Sequence, residues 1–203
     1  MSCIRMLLSS SPPVSLTNPA SRIPDNVSYE LAALAEPLSV LIHASRRAQL
    51  AEGQTVLVFG VGSIGILACA IAKARKAARV VAIDINPTRL SFALANGFAS
   101  QTYCLPRSEL AKSPEDQLRQ AKELAQQVLS HFKEPNGFDV VFECTGAETA
   151  IQMSINVSAA HYSVRNHILT VYLDGNGWRQ SHVDRNGHSK YHATPINSCA
   201  ERG

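Results

Sequence analysis

Three glycines, Gly60, Gly62 and Gly65, stand in the stretch Gly60-Val-Gly62-Ser-Ile-Gly65, directly after the apolar run Gln54-Thr-Val-Leu-Val-Phe59. At that spacing the first glycine makes a tight turn, the second lets a pyrophosphate come close to the backbone, and the third lets a following helix pack on the strand. The pyrophosphate then meets unpaired N–H groups at the positive end of that helix. Asp84 closes the next apolar run, 19 positions after Gly65. An acidic residue at about that distance accepts hydrogen bonds from the adenosine ribose and repels a 2′-phosphate, so the pattern favours NAD over NADP. A solvated strand end or a helix cap is the plainer role for Asp84.

These residues need a strand before the turn, a helix after it and a second strand ending at Asp84. Gln54–Phe59 is a β-branched run bounded by Gly53 and Gly60 and reads as a buried parallel strand. Ile64–Lys76 reads as a helix with small residues for close packing, and Arg79–Ile83 as the second strand. Asn86 caps another helix, with Pro87 at its first position and Gly97 just past its end. Tyr103–Leu105 suits a short third strand. Ser113-Pro-Glu-Asp opens a helix running to about Phe132, and Phe138–Glu143 is a fourth strand. Strands alternating with helices predict an α/β fold, a Rossmann-type doubly wound parallel sheet that is incomplete in its C-terminal half. Ahead of it, apolar residues from Tyr29 to Ile42 recur at helical spacing around Pro37, which predicts two short helices parted near Glu36.

The chain therefore divides on paper into an irregular segment (1–22), a helical segment (23–54), a dinucleotide-binding domain (55–160) and a divergent, mostly unstructured tail (161–203). The formal net charge of +3 is dispersed, and no run of Lys and Arg interleaves with aromatics, which excludes a nucleic-acid surface from the readings. Cys3, Cys69, Cys104, Cys144 and Cys199 contain no Cys-x-x-Cys pair and read as reduced thiols of a cytoplasmic protein. The apolar stretch Cys3–Leu8 is too short and broken for a signal peptide or membrane anchor.

Several stretches, in order, resemble the sorbitol and xylitol dehydrogenase branch of the zinc-dependent medium-chain alcohol dehydrogenases. They are Ile23-Pro-Asp-Asn-Val-Ser, Glu36-Pro-Leu-Ser-Val with Ile42-His-Ala, Val56-Leu-Val-Phe-Gly-Val-Gly-Ser-Ile-Gly, Asp84 with Arg89-Leu, and Phe142-Glu-Cys-Thr-Gly-Ala-Glu. The resemblance covers about Ile23 to Ser158. It implies that Ile64, Asp84 and Arg89 contact NAD, with Asp84 on the ribose and Arg89 over the adenine side. Thr145 and Gly146 then lie near the nicotinamide, together with Gly60, Gly62 and Gly65 in the cofactor-binding set. Glu36 matches the family glutamate that reaches the catalytic zinc or its bound water and substrate; a first-turn glutamate beside Pro37 is its plain alternative.

The activity so implied is oxidation of a polyol's secondary alcohol by hydride transfer to NAD, zinc making the alcohol proton easier to lose. Sorbitol, xylitol and arabinitol all remain open as substrates, and a homo- or hetero-oligomer is an open expectation. The family's other zinc ligands, a cysteine and a histidine, belong to a catalytic domain that would precede Ile23, so zinc is not expected to be retained here. A truncated or mis-spliced gene model is the expectation that follows, with a non-catalytic NAD-binding or interaction module, or a non-functional product, as alternatives. Past Ser158 the resemblance stops. Residues 161–203 hold five of the seven histidines, of which His182, His188 and His192 are metal candidates in a stretch with no fixed scaffold. Within that stretch only Ile168–Leu173, closed by Asp174-Gly-Asn-Gly, suits a fifth strand.

Overall fold

The computed structural model describes residues 22–106, 113–158, 168–174, 177–183 and 189–192. The expectations for residues 1–21 and for His161, His167 and His188 fall outside the described residues. The chain forms two compact units, residues 1–39 and 40–203.

In the first unit, helix α1 (Tyr29–Ala32) is capped by Ser28, whose hydroxyl accepts from Leu31 N at 3.3 Å. Helix α2 (Ala35–Arg47) starts in the first unit and ends in the second, with Pro37 in its first turn, where the missing N–H is no loss. The predicted break near Glu36 is therefore present. Later in α2, Leu41, Ala44 and Ser45 are buried, and Arg46 and Arg47 lie at the negative end of the helix dipole.

The second unit is a seven-stranded sheet. Its strands are β1 (Thr55–Phe59), β2 (Arg79–Asp84), β3 (Gln101–Cys104), β4 (Val140–Glu143), β5 (Ile168–Asp174), β6 (Gly177–Val183) and β7 (Ser189–His192), in the order β3-β2-β1-β4-β5-β6-β7. The first five run parallel, and β6 and β7 run antiparallel to their neighbours. The described helices are α3 (Ser63–Ala74), α4 (Pro87–Ala95), α5 (Pro114–Phe132) and α6 (Glu148–Val157). Val56 to Phe59 are all at most 1% exposed, as strands covered on both faces must be. Leu57 and Phe59 share a core with Val81, Ile83 and the apolar stripes of α5 and α6, including Ala121, Val128 and Met153. Val58 faces the other way, towards α3.

Local chemistry explains where elements start and stop. Asn86 caps α4 by accepting from Thr88 N at 2.9 Å, with Pro87 at its first position, and Ser113 caps α5 by accepting from Asp116 N at 3.1 Å. Helix α3 ends at Ala74, short of the expected Lys76, because Lys76 turns left-handed (φ 59°) and Ala77 N donates to Ala72 O. β4 begins at Val140 instead of Phe138. Asp139 carries the reason: its carboxylate accepts from the Thr55 N–H (2.7 Å) and hydroxyl (2.9 Å), so a side chain replaces the ladder bonds at that level.

Past β4 the structure departs from the expectation of a mostly unstructured tail. Ile168–Asp174 is the fifth strand, and β6 and β7 extend the sheet beyond it. β5 and β6 pair antiparallel, with Asp174 opposite Gly177. His182 and His192 fall on β6 and β7, in register with Lys190 and Gln180. The order of the parallel strands is that of the doubly wound dinucleotide folds up to the fifth; the sixth here reverses direction.

Candidate functional site

From β1 the chain winds outward to β2 and β3, then crosses to β4 on the other side of β1. The winding reverses between β1 and β4, and the crevice beyond the C-terminal ends of those two strands is where open α/β sheets bind ligands. Two turns wall it: Gly60–Gly65 after β1 and Cys144–Ala147 after β4.

The three glycines of the first turn have three different reasons to be glycine. Gly60 adopts φ +80°, and a Cβ there would overlap Thr145 Cγ2 and lie 3.3 Å from the Cys144 carbonyl carbon. Gly65 would drive a Cβ into the carbonyl oxygen of Gly60, with the carbonyl carbon only 2.8 Å away. Gly62 is required by neither conformation nor packing: its φ is −76° and nothing lies within 4 Å of where its Cβ would be. It caps α3 without a side chain, and the first-turn N–H groups of Ser63, Ile64 and Gly65 have no intrahelical acceptor. Open space in front of unpaired donors, at the positive end of a 12-residue helix, fits an anionic group.

Asp84 is neither a solvated strand end nor a helix cap. It is 6% exposed; its Oδ2 accepts from Val61 N at 2.7 Å and its Oδ1 from Asn86 N at 2.8 Å. The carboxylate thus ties β2 to the glycine turn and fixes its own direction, with lone pairs to spare for further donors. The exposed Arg89 guanidinium stands 3.9 Å from Oδ2, at the long limit of an ion pair.

On the opposite wall Thr145 and Gly146 are exposed, and Gly146 is left-handed (φ 69°). Both hang on Glu143, which is fully buried at the end of β4 and went unmarked among the candidates. Glu143 Oε1 accepts from Thr145 N at 2.7 Å and from the Thr145 hydroxyl, while Oε2 accepts from Gly146 N at 3.1 Å. Burial pushes the Glu143 carboxyl up, and the Thr145 and Gly146 donors pull it down without winning. The Cys144 thiol is also pushed well up, by burial first and then by the charges of Glu143 and Cys69. Burial takes the Cys69 thiol up to about 12 against the pull of a backbone hydrogen bond, so neither thiol is a nucleophile near neutral pH.

The raised Glu143 value fixes the sign of a pH effect. A carboxyl that binds its proton more tightly when folded gives its full stabilisation below the ordinary value of 4.5, and that contribution is lost as pH rises through the folded value. Urea unfolding of the wild type and Glu143→Gln is expected to show the wild type's relative stability falling as pH rises above 4.5 and levelling off once the folded carboxyl has ionised. A stability difference independent of pH would show that Glu143 titrates as an ordinary exposed glutamate.

The structure thus brings Gly60, Gly62, Ile64, Gly65, Asp84, Arg89, Thr145 and Gly146 to one end of the sheet. Glu36 belongs to the other unit, exposed in the first turn of α2 where a carboxylate suits the positive helix end. Among the described residues no three His, Cys, Asp or Glu side chains converge as metal ligands, and no helix is long and apolar enough to cross a membrane.

Comparison with known proteins places the chain among dehydrogenase relatives. The sequence model of a family described as zinc-binding dehydrogenase matches residues 63–161. A probable D-xylulose reductase A of Aspergillus clavatus is 36% identical over 136 residues, covering 67% of this chain and 35% of that protein. The D-xylulose reductase A of Aspergillus niger is 33% identical over 167 residues, covering 78% of this chain and 43% of the relative. Among solved structures, L-idonate 5-dehydrogenase of Escherichia coli superposes with a TM-score of 0.55 at 28% identity, over 75% of this chain and 37% of that one. The chain spans about a third of the length of the first of these relatives.

Proposed function

We propose a function on the premise that this chain, through residues 63–161, belongs to the zinc-binding dehydrogenases: it binds a nicotinamide adenine dinucleotide, as the cofactor-binding part of a polyol dehydrogenase of the D-xylulose reductase kind. The pyrophosphate lies over Gly62 against the first-turn N–H groups of α3, with Ile64 beside it. The adenosine ribose lies at Asp84 and the adenine towards Arg89. The nicotinamide lies towards Thr145 and Gly146, on the far side of the switch point. When bound, the nicotinamide supplies the hydride acceptor for a secondary alcohol.

The observation that carries this reading is Gly62, a glycine that the protein itself does not need. If a ligand needs it, Gly62→Ala leaves stability within about 1 kcal/mol, since the space is open and only a modest helix-cap preference is lost. NADH affinity falls at least about ten-fold, because the methyl displaces the pyrophosphate from its donors. Parallel thermal melts and NADH titrations of the variant check both halves. A variant that binds like the wild type would assign the open space to no ligand.

NAD is proposed over NADP on the charge of Asp84. A 2′-phosphate would replace hydrogen-bond donors with a like charge beside a buried carboxylate, and the single exposed Arg89 cation only partly offsets it. Zinc stands differently. The described residues do not assemble a three-ligand set; Glu36 is the position that family resemblance assigns to the metal.

A further inference from the structure

We propose that Glu143 is a positioning residue for the dinucleotide: from inside the fold it fixes the Cys144–Ala147 turn, and through Thr145 it holds the glycine turn on which the cofactor rests. This rests on the cofactor reading above.

Glu143 lies between β1 and β5, level with Phe59 and Thr170, in a strand whose other residues are all apolar. A carboxylate there is costly to bury, and an apolar residue would suit the core better. Its reason lies in the next three residues. Thr145 N, the Thr145 hydroxyl and Gly146 N all donate to it, and Thr145 Oγ1 in turn accepts from Ala147 N at 2.9 Å. With an apolar residue at 143 the turn would lose the acceptor for all three donors. The turn so fixed sits directly on the glycine turn: the Thr145 methyl fills the place where a Gly60 side chain would stand, and Cys144 N donates to Phe59 O at 2.9 Å.

Asp84 does the same on the other flank, gripping Val61 N from the end of β2. Two buried carboxylates, one at the end of each strand beside β1, therefore hold the glycine turn from both sides. They differ in one respect. The N–H groups of Thr145, Gly146 and Ala147 are already spent inside the second turn, so that wall contributes shape to the crevice and leaves the phosphates to α3.

NADH titration followed by nicotinamide fluorescence, on the wild-type chain, Glu143→Gln, Thr145→Val and Thr145→Ser, tests this. Thr145→Val keeps the methyl on Gly60 and removes the hydroxyl from Glu143; it is expected to weaken NADH on the order of ten-fold, as losing one hydrogen bond to a buried carboxyl would. Glu143→Gln weakens NADH similarly, because its amide would face Gly146 N with a donor. Thr145→Ser keeps the hydroxyl and retains most of the affinity. The emission of bound NADH shifts in the first two variants and not in the third, at temperatures well below unfolding, which a purely stabilising role would not produce. If Glu143→Gln does not fold, the exposed Thr145 substitutions decide. Folded variants with wild-type affinity and emission would overturn this inference while leaving the cofactor reading intact. A folded wild-type chain that leaves NADH unbound would overturn both.

Discussion

Gly65→Ala is expected to cost about 3 kcal/mol of unfolding free energy or more, and to abolish NADH binding in whatever folded fraction remains. The added methyl overlaps the Gly60 carbonyl oxygen, which belongs to the backbone, so no side-chain rotation relieves it. Relief requires α3 to move off the sheet, away from Val58, or the glycine turn to change path. Either shift displaces the α3 N-terminus from the crevice. Gly53→Ala is the control: Gly53 has a left-handed φ of +85° but nothing within 4 Å of the added carbon, so it reports backbone strain alone, about 1–2 kcal/mol. Chemical denaturation of the two variants separates the terms. Equal losses would mean that α3 and the glycine turn are not in the contact described.

Asp84→Ala is the second large effect. It strips the acceptor from Val61 N and Asn86 N, which costs about 1–3 kcal/mol for each donor left buried without a partner. NADH affinity is expected to fall on the order of a hundred-fold, through loss of the ribose contact and loosening of the turn together. The informative quantity is the ratio of NADH to NADPH affinity. A loosened turn weakens both cofactors alike and leaves their ratio unchanged, whereas removing a charge from the ribose site brings the ratio towards one. Titration of the variant with each cofactor distinguishes the two; unchanged discrimination would remove Asp84 from the basis of cofactor choice.

Much of the site was legible because its signals are local. Asn86, Pro87 and Gly97 mark the ends of α4 within a dozen residues, and each acts through backbone groups a few positions away. The roles of Gly60 and Gly65 follow from spacing alone, since a strand, a tight turn and a helix in close contact leave no room for a side chain at those points. Glu143 was not legible in the same way. As a residue after Val-Val-Phe it reads as the polar end of a strand, and its burial depends on the following turn folding back over it. The usable signal was Thr two positions on and Gly three positions on, donors placed to reach a carboxylate.

Asp139 hid the start of β4 for a similar reason. Its bond to Thr55 joins residues 84 positions apart, and nothing in the run from Phe138 announces it. Asp84 was correctly placed at a strand end, but its grip on Val61 N, 23 positions back, appears only once β1 and β2 pair. In the tail, the polar texture of residues 177–192 concealed β6 and β7. The sequence Asp-Gly-Asn-Gly after Leu173 was the better guide there, since such residues favour a turn and a hairpin then needs only a strand edge to add to.

The measurement that bears most directly on the central claim is calorimetric titration of the folded wild-type chain with NADH and, separately, with NADPH. If this chain binds the dinucleotide as proposed, it takes up one NADH per chain and binds NADPH clearly more weakly. A folded chain that takes up neither would contradict it, leaving Gly62 and Asp84 as parts of a turn that serves only the fold.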